Sequence, residues 1–258
     1  MLYMRAKRQG KYFSGTSNVV VPVRNKLAYP PEFQEGTKLT YYASLFNSVE
    51  VNSTFYKLPM PRTIEKWCAE VEPEFRFTFK LWQEITHTKG QPFDPEKLAR
   101  FMHVIGHAGD HKGCLLIQFP PSVTFAPMML NALLSEVVMH DTYRSWAIAV
   151  EFRNRSWYQD TTYEMLAAHH AIMVRHDLPA SSTPPFDNED EVVYLRFHGP
   201  EGGYRGSYED DHLYEYAGYI NEWMQEGRDV YVYFNNTMGA AVHNLITLDR
   251  YVKQLSGK

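Results

Sequence analysis

Five segments of the chain alternate strictly between apolar and polar positions, and the polar side of each carries ionisable or amide groups. They are residues 49–53, 75–80, 147–153, 194–198 and 231–235. Side chains of a β-strand point alternately to its two faces, so each segment predicts a strand with one apolar face and one charged face. In each, the charge gathers toward the C-terminal end. If these strands form one closed sheet with its apolar side under helices, the charged groups converge inside it.

Helical patterns fill most of the gaps between eight strand-like segments. The strands are predicted at 11–16, 48–54, 75–81, 113–119, 146–153, 171–176, 192–198 and 230–236. The helices are predicted at 32–46, 61–71, 94–107, 126–139, 160–170, 208–226 and 240–255. Alternating strands and helices predict parallel strands joined by right-handed crossovers, and eight such units match the α/β TIM-type (β/α)8 barrel. A doubly wound open sheet is the competing architecture.

The whole chain is predicted to form a single domain, residues 1–258, because no linker-like composition divides it. The sixth unit is the weakest. Its proline- and serine-rich stretch, residues 179–185, indicates a loop or a degenerate helix. The basic N-terminus, residues 1–10, is predicted to be frayed.

Composition narrows the partners and cofactors that we expect. The formal net charge of −4 gives no global basic field for nucleic acid or a membrane surface. Cys68 and Cys114 form neither a disulfide framework nor a metal quartet, and no signal peptide or membrane-length apolar run is visible, so we expect a cytoplasmic protein. No Walker loop or dinucleotide fingerprint occurs, so no cofactor is predicted. His103, His107 and His111 are interpreted as surface histidines, and no metal site is predicted.

Catalytic groups of a TIM-type barrel lie at the C-terminal ends of the strands and on the loops that follow. The catalytic candidates there are Glu50, Lys80 and Glu151. The candidates for ligand binding are Asn52, Tyr56, Gln118, Arg153, Asp177, Arg196, His198, Asn235 and Asn236. An isolated buried charge is strongly unfavourable, so the charged members should pair with one another or bind something charged. An internal ion-pair lattice with a purely structural role is the other interpretation.

Two features favour a small polar or anionic ligand, including a phosphate-containing one. Arg153 and Arg196 can fork onto a carboxylate or phosphate. The segment 235–239 precedes a predicted helix, and free amide groups there would form the kind of anion site that TIM barrels often use for phosphate. The glycine-rich loop 199–206 could close over such a site.

Several motifs together resemble the signature of the YecE-like family, which is catalogued as domain of unknown function 72. In the family's order they are 41–43 with 49–56 (VEVNSTFY), 79–80 with 85–87, 116–122 (LIQFPPS), 150–153 with 156–157, 194–199 (YLRFHG) and 233–236 (YFNN). The resemblance implies a TIM-type barrel but no reaction, because the family's own name records that its activity is not established. Members usually carry a tryptophan after a Gly-Thr-Ser first strand. Here Gly15-Thr16-Ser17 is followed by Asn18-Val19, which leaves the shape of the first loop open.

The leading hypothesis is an enzyme, a hydrolase or a lyase, that acts on a small polar or anionic substrate in the barrel mouth. Nearby Arg153 and Arg196 should disfavour the charged form of Lys80, so that its amine acts as a base or forms an imine. Glu50 or Glu151 would then be the second proton-transfer group. Paired carboxylates also fit glycoside hydrolysis.

Two other function classes stay open. A nucleic-acid-binding or processing protein would stack bases on exposed aromatic side chains near the mouth and hold phosphates with arginine and lysine, although the acidic net charge counts against it. The aromatic candidates are Phe55, Tyr56, Trp82, Trp157 and Tyr204. A non-catalytic ligand-binding or scaffold protein is the third class. His87, in the third loop, is expected either to order that loop or to belong to the site.

Overall fold

The structure is a computed structural model that describes residues 8–88, 90–186 and 189–257. Within these residues the strands are β1 (Tyr12–Thr16), β2 (Ser48–Val51), β3 (Arg76–Lys80), β4 (Lys112–Phe119), β5 (Ala147–Phe152), β6 (Ala171–Met173), β7 (Arg175–His176), β8 (Val192–Phe197) and β9 (Asp229–Phe234). The helices are α1 (Lys38–Leu45), α2 (Ser53–Tyr56), α3 (Pro61–Ala69), α4 (Gln83–Thr86), α5 (Pro95–Gly106), α6 (Pro127–His140), α7 (Asp160–Ala168), α8 (Asp210–Gln225) and α9 (Ala241–Leu255).

Every pairing between these strands is parallel, and the strand order follows the chain. One sheet has the order β2-β3-β4-β5-β6, and the other has the order β1-β9-β8-β7. A single residue, Val174, separates β6 from β7, and its N–H donates to the Val150 carbonyl at 2.9 Å. A parallel bridge between Ser17 and Glu50 links the end of β1 to β2. The arrangement is a TIM-type barrel in which β6 and β7 together form the sixth strand.

Local capping signals mark the starts of two helices. The Thr37 hydroxyl caps α1 and accepts an N–H at 3.1 Å. The Asp94 carboxylate caps α5 at 2.9 Å, and Pro95 takes the first helical position. Such residues satisfy or remove the amide groups that a helix start leaves unpaired. Across the described ranges, every helix is too short or too polar to cross a bilayer.

Two short helices and a shortened strand depart from the sequence prediction. β2 ends at Val51, and Asn52 already has helical backbone angles (φ −77°, ψ −16°) at the start of α2. The predicted strand 48–54 is therefore too long, because Ser53 and Thr54 belong to α2. α4 similarly follows β3 in the loop that leads to His87. α1 begins at Lys38, later than predicted.

The sixth unit has no helix among its described residues, which confirms its weakness. From His176 to Val192 the described chain forms a loop, held by a bond from the Thr183 N–H to the His176 carbonyl at 2.9 Å. The Tyr158 hydroxyl also donates to the Ser181 carbonyl at 2.7 Å. An open groove of about 1150 Å³ runs along β7, β8 and α8 on this side of the barrel.

Most of the predicted frayed terminus, residues 1–7, lies outside the described residues. At the next positions the chain is held against the barrel. Arg8 forms an ion pair with Asp229 at 2.5 Å. The N–H of Gly10, a buried residue, donates to the Met224 carbonyl at 2.8 Å.

Apolar side chains form separate cores on the two faces of the strands. The outer core lies between strands and helices and includes the stacked pair Phe152 and Trp157, with ring centroids 4.5 Å apart. The inner cluster comprises Phe13, Cys114, Leu116, Ala149, Ile172, Val174, Tyr194, Tyr231 and Tyr233. The Tyr233 hydroxyl is hydrogen-bonded to the hydroxyls of Ser48 at 2.6 Å and Thr78 at 2.7 Å. The interior is thus filled, and the next inward positions on the strands lie at its C-terminal mouth.

Candidate functional site

Arg196 is the centre of a buried ion-pair network at the ends of β2, β5 and β8. Its guanidinium forks onto Glu50, with Nε donating at 2.8 Å and Nη2 at 2.6 Å. Its Nη1 donates to Glu151 at 2.7 Å, and Arg153 Nε donates to the other oxygen of Glu151. Both glutamates are 0% exposed and Arg196 is 1% exposed. Glu50, Glu151, Arg153, Arg196 and His198 are termed the ion-pair cluster below.

Strand periodicity explains why these groups meet. Arg196 comes two residues after Tyr194, and Glu151 comes two residues after Ala149, so both continue the inward faces that line the inner cluster. The Tyr194 hydroxyl and the Ser17 hydroxyl donate to the two oxygens of Glu50, the latter at 2.6 Å. The structure therefore brings Glu50, Glu151 and Arg196 into direct contact, as the alternation predicts.

His198 connects the cluster to the wall of the barrel. Its Nε2 lies 2.9 Å from Arg153 Nη2 and 3.3 Å from Arg196 Nη1. Guanidinium groups only donate, so Nε2 is the acceptor and Nδ1 carries the hydrogen. Nδ1 faces Asp177 Oδ1 at 3.3 Å, and the His198 backbone N–H donates to the same oxygen at 2.7 Å. The Tyr208 hydroxyl donates to the other oxygen of Asp177.

The electrostatics of the cluster keep its carboxylates ionised. Burial acts to raise the pKa of Glu50, but the charge and hydrogen bonds of Arg196 outweigh it and leave the pKa below its ordinary value. Burial is opposed in the same way at Glu151, where Arg153 and Arg196 hold the pKa well below its usual range. Burial lowers the pKa of His198 to about 4, so its imidazole is neutral at neutral pH. Two carboxylates and two guanidiniums therefore offset each other.

Lys80 lies beside the cluster, at the end of β3, with different surroundings. Its Nζ donates to Gln118 Oε1 at 2.8 Å and lies 4.1 Å from the ring centre of Phe55. Lys80 and Gln118 are both half-buried, whereas the members of the ion-pair cluster are buried. Throughout the described part of the chain, no carboxylate forms an ion pair with Lys80. Lys80, Gln118 and Phe55 are termed the lysine site.

The surroundings of Lys80 favour its neutral form. Burial and the charge of Arg196 lower the pKa of Lys80 to about 7, against the opposing attraction of Glu151 and Glu50. Near neutral pH, both the ammonium and the amine form of Lys80 are therefore populated. Only the amine has the lone pair that a nucleophile or a base needs.

Phe55 is a common wall for several mouth residues. Tyr56 packs against it edge-on, with ring centroids 5.0 Å apart, and is 70% exposed. His87 packs against it at 4.9 Å and is half-buried. The predicted ligand residue Tyr56 thus stands at the rim of the lysine site.

The three predicted asparagines have other surroundings. Asn236 is buried, and its Nδ2 donates to the Gly206 carbonyl at 3.1 Å and to Asn244 Oδ1 at 3.0 Å, which ties the loop after β8 to α9. Asn235 is half-buried, and its N–H extends the pairing of β9 with β8. Asn52 Oδ1 is buried and receives no hydrogen bond from the residues that the structure describes. Asn52 Oδ1 and Asn236 Oδ1 are both buried acceptors without a partner among the described residues, and the amide nitrogen of Asn236 serves the packing of a loop.

The two arginines are not arranged as the sequence predicts for an anion site. The fork of Arg196 is occupied by Glu50, and Arg153 is bonded to Glu151 and His198. The prediction that both forks face a ligand is wrong. Two fully buried carboxylates would be strongly destabilising without nearby cations, so the arginines pair with the glutamates.

The prediction of free amide groups before the last helix is also wrong. The N–H groups of Met238 and Ala240 donate to the carbonyls of Tyr204 and Gly206, both at 3.0 Å. These bonds hold the glycine-rich loop 199–206 against the segment before α9. The approach is close enough that a Cβ on Gly239 would lie 2.5 Å from the Gly206 carbonyl oxygen.

The aromatic side chains proposed for base stacking are only partly available. Trp157 is 0% exposed in the outer core, and Phe55 is 8% exposed, so the prediction of their exposure is wrong. Trp82 is half-buried, whereas Tyr56 and Tyr204 are exposed. A stacking surface of five rings is therefore reduced to two.

Three residues that hold the cluster in place are not among the site residues predicted from the sequence. Tyr194 precedes Arg196 by two positions on the same strand, so the alternation could have placed it inward. Ser17 follows β1, and Tyr208 comes from the loop after β8. For these two, no local pattern indicates the contact.

Other candidate sites have less support. Over the described ranges, no group of three or more His, Cys, Asp or Glu side chains is arranged to hold a metal ion. Besides the groove along α8, a cavity of about 700 Å³ lies under the loop after β8, and Asp177 and His212 border both. Neither is lined by the lysine site. We place the candidate site at the mouth because the ionisable groups of the strands converge there.

Comparison with known proteins assigns the chain to a family. The family described as Protein of unknown function DUF72 matches residues 15–257. The UPF0759 protein YunF of Bacillus subtilis is 28% identical over 246 residues, which cover 82% of this chain and 84% of YunF. The crystal structure of a DUF72 family protein from Thermotoga maritima has a TM-score of 0.74 at 26% identity and covers 95% of this chain and 99% of that one. A xylose isomerase-like TIM barrel/4-hydroxyphenylpyruvate dioxygenase fusion protein has a TM-score of 0.52 at 12% identity, over 98% of this chain and 44% of the fusion, which shows a shared fold alone. The chain therefore belongs to the DUF72 family.

Proposed function

We propose that this protein is an enzyme, a lyase or a hydrolase, that acts on a small polar or anionic carbonyl compound with Lys80 as the reacting amine. The observation that carries the proposal is the placement of Lys80. It is half-buried at the mouth, bonded to Gln118 at 2.8 Å, and adjacent to a saturated ion-pair cluster without being part of it.

The environment of Lys80 suits addition to a carbonyl carbon. Burial and the charge of Arg196 lower the pKa of Lys80 to about 7, so the free amine is well populated at neutral pH. An ordinary lysine, with a pKa of about 10.4, is less than about 0.1% neutral there. The gain in reactive amine is what imine-forming lysines obtain from desolvation and a neighbouring cation.

In this proposal Glu50 and Glu151 position Arg196 rather than transfer protons. A general acid works best with a pKa near the operating pH. Burial opposes ionisation at both glutamates, but the arginines dominate and hold each pKa below its ordinary value. Glycoside hydrolysis, which needs one carboxylic acid with a raised pKa, has correspondingly less support.

The ligand would contact the half-buried side of the mouth. Gln118 and Tyr56 are the predicted ligand residues that can meet a bound molecule there. Arg153 and His198 would act through the ion-pair cluster. The cytoplasmic location expected from the two unpaired cysteines stays a prediction.

Reductive trapping tests this function. The protein is incubated with sodium cyanoborohydride and one carbonyl probe at a time. The three probes are pyruvate, glyceraldehyde and dihydroxyacetone phosphate, and adducts are located by peptide mass spectrometry. We expect Lys80 to be alkylated at least about tenfold faster than the exposed Lys38, because burial and the charge of Arg196 lower the pKa of Lys80 to about 7 and so favour the reactive amine. The probe that reacts best distinguishes a neutral polar, a carboxylate or a phosphate-containing ligand.

The control is Lys80→Met, which should remove the adduct from that peptide and leave Lys38 labelling unchanged. Competitive acetylation with acetic anhydride across a pH series measures the titration of both lysines independently. If Lys80 reacts no faster than Lys38 with all three probes, the proposed function is wrong.

A further inference from the structure

The proposed reaction needs a proton carrier beside Lys80. When an amine condenses with a carbonyl group, both amine protons leave the nitrogen and end on the departing oxygen, which is released as water. The ion-pair cluster has no group available for this. Glu50 and Glu151 are bonded to guanidinium groups, and His198 Nε2 accepts from two arginines.

His87 lies against the same aromatic ring as Lys80. The ring centre of Phe55 is 4.1 Å from Lys80 Nζ and 4.9 Å from the centre of the His87 imidazole, whose plane is turned by 80°. Phe55 is only 8% exposed, so it is a packed wall rather than a mobile side chain. Strand β3 therefore carries the amine, the loop after it carries the imidazole, and both side chains lie against Phe55 of α2.

The backbone and a buried hydroxyl orient His87. Its backbone N–H donates to the Gln83 carbonyl at 2.7 Å and so caps the C-terminal end of α4. Its Nδ1 lies 2.8 Å from the hydroxyl of Thr86, a residue that is 3% exposed. A hydroxyl can donate or accept, so Thr86 serves either tautomer of the ring. No side chain or carbonyl in the described ranges bonds to Nε2, which is the nitrogen left for a substrate.

We propose that His87 carries the protons of the Lys80 reaction, an inference that rests on the proposed function. The Nζ lone pair forms the C–N bond while the carbonyl π pair moves to oxygen. His87 Nε2 takes one proton from the adduct nitrogen and delivers it to that oxygen. It then carries the second N–H proton to the hydroxyl as the C–O bond breaks, so that water leaves and the nitrogen pair forms the C=N bond. The neutral amine and carbonyl become a neutral imine and water.

The charge balance at His87 agrees with this role. Burial, and then the positive charge of Lys80, lower the pKa of His87 below its ordinary value. The imidazole is therefore mostly neutral at neutral pH and able to accept a proton, as a base at this step must be.

The test compares trapping rates of wild-type protein and His87→Gln with the best of the three carbonyl probes. We expect the Lys80 adduct to form at least about a hundredfold more slowly in the variant, which is the usual contribution of a positioned proton carrier. Acetylation of Lys80 by acetic anhydride should stay within about twofold, because the amine itself is untouched. His103→Gln, the same change at an exposed histidine, should leave both rates unchanged.

Chemical rescue separates proton transfer from loop ordering. Imidazole added to His87→Ala should restore trapping in proportion to its neutral fraction, and it should restore nothing in Lys80→Met. If wild-type protein forms no Lys80 adduct, the proposed function fails and the inference on His87 fails with it. If wild type is trapped and His87→Gln is trapped equally fast, the inference alone is overturned. A slow variant that imidazole does not rescue would assign His87 to loop structure and also overturn it.

Discussion

The ion-pair cluster and the lysine site are adjacent at one barrel mouth, yet their chemistry differs. In the cluster, Arg196 donates from all three guanidinium nitrogens to buried carboxylates and is 1% exposed. In the lysine site, Lys80 has one hydrogen-bond acceptor among the described residues, a neutral amide, and is half-buried. A saturated charge is held in one protonation state, whereas a charge with poor compensation gives up its proton readily. The less satisfied group is therefore the better candidate for reaction.

The sequence leaves two interpretations of the charged mouth residues open, a structural ion-pair lattice and a reactive site, and each applies to one of these two regions. A structural ion-pair lattice describes Glu50, Glu151 and Arg196, whose hydrogen bonds are mostly to one another. The interpretation as a reactive site applies to Lys80. The cluster influences Lys80 through its charge without forming a hydrogen bond to it. We interpret the cluster as a fixed electrostatic frame whose positive side lowers the pKa of a neighbouring lysine, after the larger effect of burial.

Breaking the frame should have the largest effect. Arg196→Met leaves Glu50 and Glu151 buried with too few partners, and we expect it to lower the free energy of unfolding by about 3–5 kcal/mol. Urea denaturation at neutral pH measures the change. The matched control, Arg62→Met at an exposed position, should stay within about 0.5 kcal/mol. A loss below about 1 kcal/mol at Arg196 would mean that the cluster does not hold the mouth together.

A charged partner for Lys80 should make the lysine site resemble the ion-pair cluster, in which each cation is paired with a carboxylate. Gln118→Glu places a carboxylate where Oε1 now lies 2.8 Å from Nζ. An opposite charge at this distance favours the ammonium, so we expect the acetylation midpoint of Lys80 to rise by about one pH unit or more and its labelling at neutral pH to fall at least about fivefold. Gln118→Met, which adds no charge, is the control. An unchanged midpoint in Gln118→Glu would show that Gln118 does not govern the amine.

Removing Lys80 should have the smallest effect on stability, and the sign should be opposite to that of Arg196→Met. Burial and Arg196 lower the pKa of Lys80 to about 7 in the folded protein, so its destabilising contribution is complete below that pH. It is relieved as the pH rises from about 7 toward the unfolded value of about 10.4. Lys80→Met should therefore stabilise the protein by on the order of 1 kcal/mol at about pH 6 and by much less at about pH 10.

Urea denaturation at the two pH values checks this prediction, with Lys38→Met as the control for an exposed lysine. A clear destabilisation by Lys80→Met at the lower pH would place Lys80 inside the ion-pair cluster. The comparison between the two regions would then be lost.

Much of the fold could be predicted because local rules control it. The capped start of α5 at Asp94 and Pro95, and the strands around Glu151 and Arg196, depend on a few neighbouring residues. The prediction failed at Asn52, where a strand passes directly into α2. It failed also at Trp157, which is buried because the short turn after β5 directs it into the outer core.

The sequence by itself determined which side chains point into the barrel mouth, because a two-residue period needs no knowledge of the neighbours. Only the tertiary structure decided which charge met which partner. Arg196 binds Glu50 across 146 residues of chain, and Lys80 meets Gln118 because β3 and β4 are neighbours in the sheet. Pairing energies depend on distances of a few ångströms and on burial, and both arise only when the strands assemble.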